Sequence, residues 1–382
     1  MIEIVNFIRH HGLDKLDELG IMHNIHSIFP NLYLFKYHTL HSPMENPVVQ
    51  DARGIVLDAD NDWLPVCFPY RKFFNYGEPN AVALDWNNVS IYEKVDGSMV
   101  CLWYYNDQWN VSTLGMADAR GRVLGWEITF EELFWETWKT LGYKLPVPGF
   151  TYMFELMTPA NIVLVRHKGS RIVLHGVRKM SHGYPYLEQL PDTAANTFGW
   201  ECVKLHKNIR TTEGVITACE NIMGTQAEGF VAVDKNFNRL KFKTLSYIRG
   251  TRIKNNLSLK DIIDLVIKGN SDDLALFFPG LAVAFDLVRQ RIADLVADIE
   301  ETYHSIEMIK EDKEFAFEAM NYPYSGALFC LRKEQISSAY EWIRACKIKH
   351  VIGLIETNDL IDIVLEFQEE KDRRKVFYGE EV

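Results

Sequence analysis

Apolar and polar positions fall into two textures along the 382 residues. Up to about residue 255, apolar residues come in short runs broken by Gly, Pro and Asn. Gly54-Ile55-Val56-Leu57, Met99 to Tyr104, Tyr152 to Leu156, Arg171 to His175 and Gly229 to Val233 are such runs. Several alternate or are rich in β-branched and aromatic residues, the pattern of strands. Val89 to Glu93 is a further apolar run. Between these lie helical stretches. Phe130 to Leu141 places Leu133, Phe134, Trp138 and Leu141 on one helical face. Ile2 to His10 and Asp192 to Leu205 also read as helices. Strands and helices mixed without regular alternation predict an α+β domain of antiparallel sheets and flanking helices over residues 1–255.

The pattern then changes. Ser258 and Asp261 have the spacing of a capping box, opening a helix through Ile262, Ile263 and Val266. Gly269 is placed to end it. From Leu281 to Lys310, residues Phe285, Val288, Ile292, Leu295, Ile299, Tyr303 and Ile306 recur every three or four positions. That is one core-facing stripe on a long helix. Lys333 to Cys346 and Leu360 to Lys371 read as further helices, and residues 371–375 as a solvated charge cluster. An all-helical C-terminal domain over residues 256–382 is expected. There is no internal repeat.

Composition narrows the class. Apolar content of 47% and charged content of 24% are those of a globular protein. No apolar run reaches the roughly 18 residues that a membrane span requires. The opening Met1-Ile2-Glu3-Ile4 has no basic flank or long apolar core, so no signal peptide is expected. Six scattered cysteines form no Cys-x-x-Cys pair, which suits a reducing cytoplasm better than a zinc site or disulfide framework. His23 and His26 have no evident partner ligands.

The net charge of −11 argues against a nonspecific nucleic-acid coat, but the charge is uneven. Residues 256–382 hold 15 Lys and Arg against 25 Asp and Glu, which leaves about −1 for the first 255. Within Asn236 to Lys254 stand Arg239, Lys241, Lys243, Arg249, Arg252 and Lys254, with no acid among them. An anionic ligand would find its local field there.

One pentapeptide carries the sharpest chemistry. Lys94-Val95-Asp96-Gly97-Ser98 ends the apolar run Val89 to Glu93. Asp96 and Gly97 suit a tight turn, Gly97 by accepting positive φ and Asp96 by bonding its own backbone. Lys94 would then point from a strand end into a pocket. A lysine amine attacks phosphorus only when neutral, and at an ordinary pKa only about 0.1% is neutral near pH 7.4. Lys241 and Lys243 share one face of a strand, because alternate residues do. Their charge, with that of a divalent cation, is expected to lower the pKa of Lys94 and to neutralise a phosphate. Glu155 and Glu228 each sit in an apolar strand, where a carboxylate is costly unless paired or metal-bound.

Six segments follow in order: Asp51-Ala52-Arg53-Gly54, Arg71-Lys72-Phe73-Phe74-Asn75, Lys94 to Ser98, Phe154-Glu155-Leu156, Ala227-Glu228-Gly229-Phe230 and Leu240-Lys241-Phe242-Lys243. The chain thereby resembles the bacteriophage RNA ligase 1 family, whose relatives repair cleaved transfer RNA, and more broadly the covalent nucleotidyltransferases. The resemblance covers residues 33 to 250. It implies an ATP-dependent RNA ligase that uses Mg²⁺. Lys94 takes AMP from ATP, passes it to an RNA 5′-phosphate, and a 3′-hydroxyl then displaces AMP.

The same resemblance assigns the other roles. Lys94, Lys241, Lys243 and Glu228 are the catalytic set. Glu155 contacts the ribose or a metal-bound water, and Glu228 helps to hold Mg²⁺. Arg53 and Lys72 grip the outer phosphates. Phe74 packs near the nucleotide, Gly229 lets backbone approach closely, Gly97 and Ser98 shape the site, and Tyr247 matches a family aromatic. Where the family usually shows Thr-Lys-Gly-Ser, this chain has Thr113-Leu114-Gly115-Met116. Arg120 or Arg122 is the expected substitute cation. The resemblance places the protein in the cytoplasm (the host's, if phage-encoded), with RNA ends as partner; a transfer-RNA anticodon loop selected by the C-terminal domain is the expected form. No membrane and no obligatory protein partner are expected. A nucleotidyltransferase with a non-RNA acceptor, or a non-catalytic RNA-end or nucleotide-binding protein, are the alternatives.

Overall fold

A computed structural model describes residues 2–367, apart from 40, 124–125, 181–185, 223–226, 256–257, 270, 272–273, 276–277 and 358. The chain divides into two compact units, Met1–Tyr247 and Ile248–Val382. The division falls inside helix α6, Leu245–Asn255, rather than at residue 255.

The first unit is α+β. One sheet runs β1 (Ile21–Ile25), β2 (Leu32–Tyr37), β3 (Arg53–Asp58), β4 (Leu64–Cys67), all antiparallel. A second has the order β11 (Glu188–Gln189), β10 (Arg171–Lys179), β9 (Phe150–Met157), β7 (Ser98–Tyr105), β8 (Gln108–Thr113). The third has the order β5 (Phe74–Asn75), β13 (Arg239–Lys243), β12 (Gly229–Asp234), β6 (Val89–Lys94). Its β13–β5 pair is parallel.

Two-residue periodicity builds the core of the second sheet. On β7, Val100 and Leu102 pack with Tyr152, Phe154 and Leu156 of β9 and with Phe134 and Trp138 of α3 (Phe130–Thr140). The alternate residues Cys101 and Trp103 face the other way, onto Leu32, Leu34 and Val56 of the first sheet. Both faces are therefore covered, which is why these strands read as nearly continuous apolar runs. Each fully buried large apolar side chain contributes about 1.5–3 kcal/mol. Thr129 and Glu132 cap α3 reciprocally.

Two expected helices are shorter than their patterns. Asp192 to Leu205 is helical only within Pro191–Phe198, because Gly199 turns left-handed at φ +71. Lys333 to Cys346 is helical only over Ala339–Ala345. Glu334 has φ +52, and Ser338 starts a new helix by accepting from the Glu341 N–H.

In the second unit, Ser258 and Asp261 form the reciprocal cap of Leu259–Ile267, and Gly269 follows at φ +67. The long helix spans Ala282–Ile306 and buries Phe285, Val288, Ile292, Leu295 and Ile299. Shorter helices follow at Asp312–Ala319, Ser325–Arg332, Ala339–Ala345 and Ile348–Ile352. Residues 359–367 are helical, while the rest of the stretch to Lys371 and the cluster 371–375 lie outside the described residues. Among the described residues no helix is long and apolar enough to cross a membrane.

Candidate active site

The segment Val95-Asp96-Gly97 links β6 of the third sheet to β7 of the second. A cavity of about 270 Å³ opens beside it. Lys94, Glu155, Glu228, Lys241 and Lys243 line it, together with Arg53. Six residues spread over nearly 200 positions meet because three strands of the third sheet, β9 of the second and β3 of the first converge on the same place.

The link is built otherwise than a self-bonded turn. Gly97 does not have positive φ. A methyl group there would instead lie 2.5 Å from the Leu156 carbonyl oxygen and 2.9 Å from Met157 Cγ. Glycine is needed for closeness to β9, not for its torsion. The Asp96 carboxylate accepts from Leu164 N–H at 2.8 Å, Val165 N–H at 2.6 Å and the Tyr247 hydroxyl at 2.6 Å. Asp96 thus ties the segment after Lys94 to a distant loop and to α6. Removing the hydroxyl with Tyr247→Phe should cost about 1.5–3 kcal/mol, the range for a bond to a charged group. Urea unfolding measures it, and an unchanged midpoint would show that this bond does not hold the turn.

Glu228 is the centre of the charge arrangement. Its side chain is 5% exposed and accepts from Lys94 Nζ through one oxygen; the other lies 2.8 Å from Lys243 Nζ. Gly229 sets this spacing. It pairs with Lys94 on one side and Lys243 on the other. At its φ of +150 a methyl would press on the Phe242 carbonyl oxygen and lie 2.9 Å from Lys243 Cα.

This arrangement corrects the expected pKa of Lys94. Burial does pull the ammonium down, but the attraction of Glu228, followed by that of Glu155, outweighs it and leaves the pKa raised. Glu228 in turn is held below the ordinary carboxylate range. Burial opposes its charge, but Lys94 and Lys243 outweigh burial. The depressed lysine is Lys241, brought to about 6 by burial and by repulsion from Arg53, Lys72, Lys94 and Lys243. Among the described residues no carboxylate pairs with Lys241, whereas one stands between Lys94 and Lys243. That difference decides which amine is lowered.

Phe73 forms a shared platform, with Lys241 Nζ 4.4 Å and the Arg53 guanidinium 5.5 Å from its ring centre. Phe73 lines the cavity and Phe74 does not. Phe74 is buried in β5 beside Leu240 of β13. Lys72 also stands off the cavity wall, its ammonium 5.2 Å over Tyr37 and 5.5 Å over Phe74. Ser98, Gly229 and Tyr247 do not line the cavity. The side chains of Arg252 and Lys254 are outside the described residues.

Tyr70 and His175, which the sequence did not single out, also line the cavity, as does Arg239 of the basic segment. The Arg239 guanidinium lies 4.1 Å over the Tyr70 ring, and the His175 ring stacks on Tyr70 at 5.4 Å. The Tyr70 hydroxyl donates to the His175 carbonyl at 2.6 Å. Arg239 and Arg178 share the carboxylate of Glu188. His175 Nε2 is 3.6 Å from a Glu155 oxygen. Burial pushes Glu155 up to about 8, against the pull of Lys94, and burial pulls His175 down to about 3. The one local signal was a histidine inside the apolar run Arg171 to His175.

Among the described residues no group of three or more His, Cys, Asp or Glu could hold a metal ion. Glu155 and Glu228 nevertheless offer two carboxylates to one cavity. Mg²⁺ is commonly held by one or two carboxylates plus substrate phosphates. The donor set fits that ion and not a caged metal.

Residues 51–247, more than half of the chain, match a family model described as RNA ligase. An RNA ligase of Rhodothermus phage RM378 is 27% identical over 308 residues, covering 64% of this chain and 70% of that protein. An Autographa californica nuclear polyhedrosis virus protein named "Putative bifunctional polynucleotide kinase/RNA ligase" is 27% identical over 282 residues, covering 66% of this chain but only 38% of that protein. A solved structure of an archaeal ATP-dependent RNA ligase superposes with a TM-score of 0.43 at 11% identity, over 77% of this chain and 83% of that one. Every residue that lines the cavity falls within that matched span, and the chain belongs to the RNA ligase family.

Proposed function

We propose that this ligase uses ATP and that Lys94 is its nucleophile. The observation that carries the reading is the placement of Lys94. Its amine stands at a strand end inside a cavity that also presents Arg53, Lys241 and Lys243. In the first step the Lys94 nitrogen bonds to the α-phosphorus of ATP, the bond to the bridging oxygen breaks, and pyrophosphate leaves. The amine gives up its proton. AMP then passes to the 5′-phosphate of RNA, and a 3′-hydroxyl attacks that phosphate and releases AMP.

Phosphoryl transfer needs positioning and charge neutralisation more than covalent help. Arg53 and Lys243 supply positive charge around the phosphates, and the negative charge of a bound phosphate favours the protonated form of Lys241 beside them. Glu228 orients both Lys94 and Lys243. Glu155 and Glu228 would hold Mg²⁺, which when bound supplies Lewis-acid charge neutralisation.

The finer reading is repair of a broken transfer RNA, in the cytoplasm. Incubation with α-labelled ATP and Mg²⁺ should place label on the protein. Linear 5′-phosphorylated RNA with a free 3′-hydroxyl should then discharge it into sealed product. A nicked anticodon stem-loop should discharge it faster than the linear RNA. Label that no RNA removes would select a different acceptor. Absence of label would overturn the covalent mechanism.

A further inference from the structure

The turn Thr113 to Met116 lies against β3. A methyl at Gly54 would be 3.2 Å from Leu114 Cα, and Leu114 lines the cavity beside Arg53. This side of the cavity carries no cation from the turn itself. Arg120 and Arg122 are engaged elsewhere, 3.2 Å from Glu131 and 2.8 Å from Glu127.

A cation reaches the turn from β2. Leu32, Leu34 and Lys36 alternate along that strand and share a face. Leu32 and Leu34 are fully buried, in the cluster of Cys101, Trp103 and Met153. Two residues on, Lys36 is exposed. It is paired with Arg53 of β3, so both side chains rise from neighbouring positions. Its ammonium passes over the turn, 3.6 Å from where a Gly115 methyl would be, and apart from the turn's own neighbouring residues only Lys36 comes within 4 Å of that point. Among the described residues Lys36 has no ion-pair partner. An ammonium with no ion pair among the described residues, over the turn that carries Leu114 and on the strand position paired with Arg53, is a free charge for an anion.

We infer that Lys36 grips a phosphate group at the mouth of the cavity and supplies the positive charge that Leu114 lacks. The proposal rests on the ligase reading for the source of that phosphate, which is either the outer phosphates of ATP or the 5′-phosphate of RNA. The full chain is tested as wild type, Lys36→Ala, and Lys36→Ala combined with Leu114→Lys. One arm measures labelling by α-labelled ATP across ATP concentrations. The other measures discharge of pre-labelled protein across concentrations of 5′-phosphorylated RNA.

Lys36→Ala should weaken apparent affinity about five- to tenfold in one arm, with the saturated rate nearly unchanged. A change in the ATP arm identifies the triphosphate, and one in the RNA arm the 5′-phosphate. Leu114→Lys should restore most of the loss, because it returns charge to the same place. No change in either arm overturns the proposal, as does a loss that Leu114→Lys fails to restore. If the wild type takes no label, the covalent reading fails by itself. Equilibrium binding of ATP and of 5′-phosphorylated RNA then decides the Lys36 assignment, and equal Kd values for wild type and Lys36→Ala sink it.

Discussion

Lys94→Ala is expected to abolish the labelled protein band and, with it, the sealing of RNA from ATP. Loss of a nucleophile in a concerted site costs on the order of 10⁶-fold in rate. The fold should survive. Lys94 is held by its backbone, with its carbonyl accepting from Glu228 N–H at 3.1 Å, and alanine keeps that bond. Glu228 would still have Lys243 at 2.8 Å. The expected stability loss is about 1.5–3 kcal/mol, for one bond to a charged group. Lys94→Arg is the sharper variant. Its guanidinium keeps a positive charge for Glu228 but is never neutral near pH 7, so it offers no attacking lone pair. Both variants should remain folded and unlabelled, and both should seal RNA that already carries AMP. Label on Lys94→Arg would remove Lys94 from its assigned role.

Local pattern reveals what one element determines by itself. Lys241 and Lys243 share a face because strands alternate, and the pentapeptide at Lys94 ends a strand because its apolar run stops there. Glu155 and Glu228 stood out as carboxylates among apolar neighbours. What pairing across the chain creates was hidden. Tyr70 and His175 are 105 positions apart and meet only through sheet topology. Asp96 finds partners 68, 69 and 151 positions away, so its own tripeptide suggested a local turn that the fold does not make. The pKa order of the lysines was hidden for the same reason. It depends on which ammonium lies against Glu228, and Gly229 and its two strand partners set that contact. Nothing in the sequence marks Lys36, because the turn at Leu114 approaches it only in the fold.

Glu228→Gln should have the largest effect on stability and should shift the pH dependence of the site in a defined direction. The side chain is 5% exposed and balances two ammonium groups. A neutral amide leaves both without counter-charge, and breaking a buried pair this way costs about 3–5 kcal/mol. Urea unfolding at pH 7 measures that loss. The pH sign follows from Glu228, whose folded pKa is depressed by Lys94 and Lys243 against the cost of burial. Its contribution is present above the carboxylate's unfolded pKa, about 4.3, and is lost as pH falls through the lower folded value. The wild type should therefore lose more stability than Glu228→Gln on going from pH 6 to pH 3. The nucleophile responds in the alkaline range. The raised pKa of Lys94 adds stability below its unfolded value that disappears as pH climbs through the folded one. With Glu228 neutralised, the main attraction raising that pKa is gone and burial pulls it down. Single-turnover adenylylation by Glu228→Gln should be slower at every pH, but its rise with pH should occur at lower pH than in the wild type. A rise displaced to higher pH, or a stability loss under about 1 kcal/mol, would show that Glu228 does not govern the charge of Lys94.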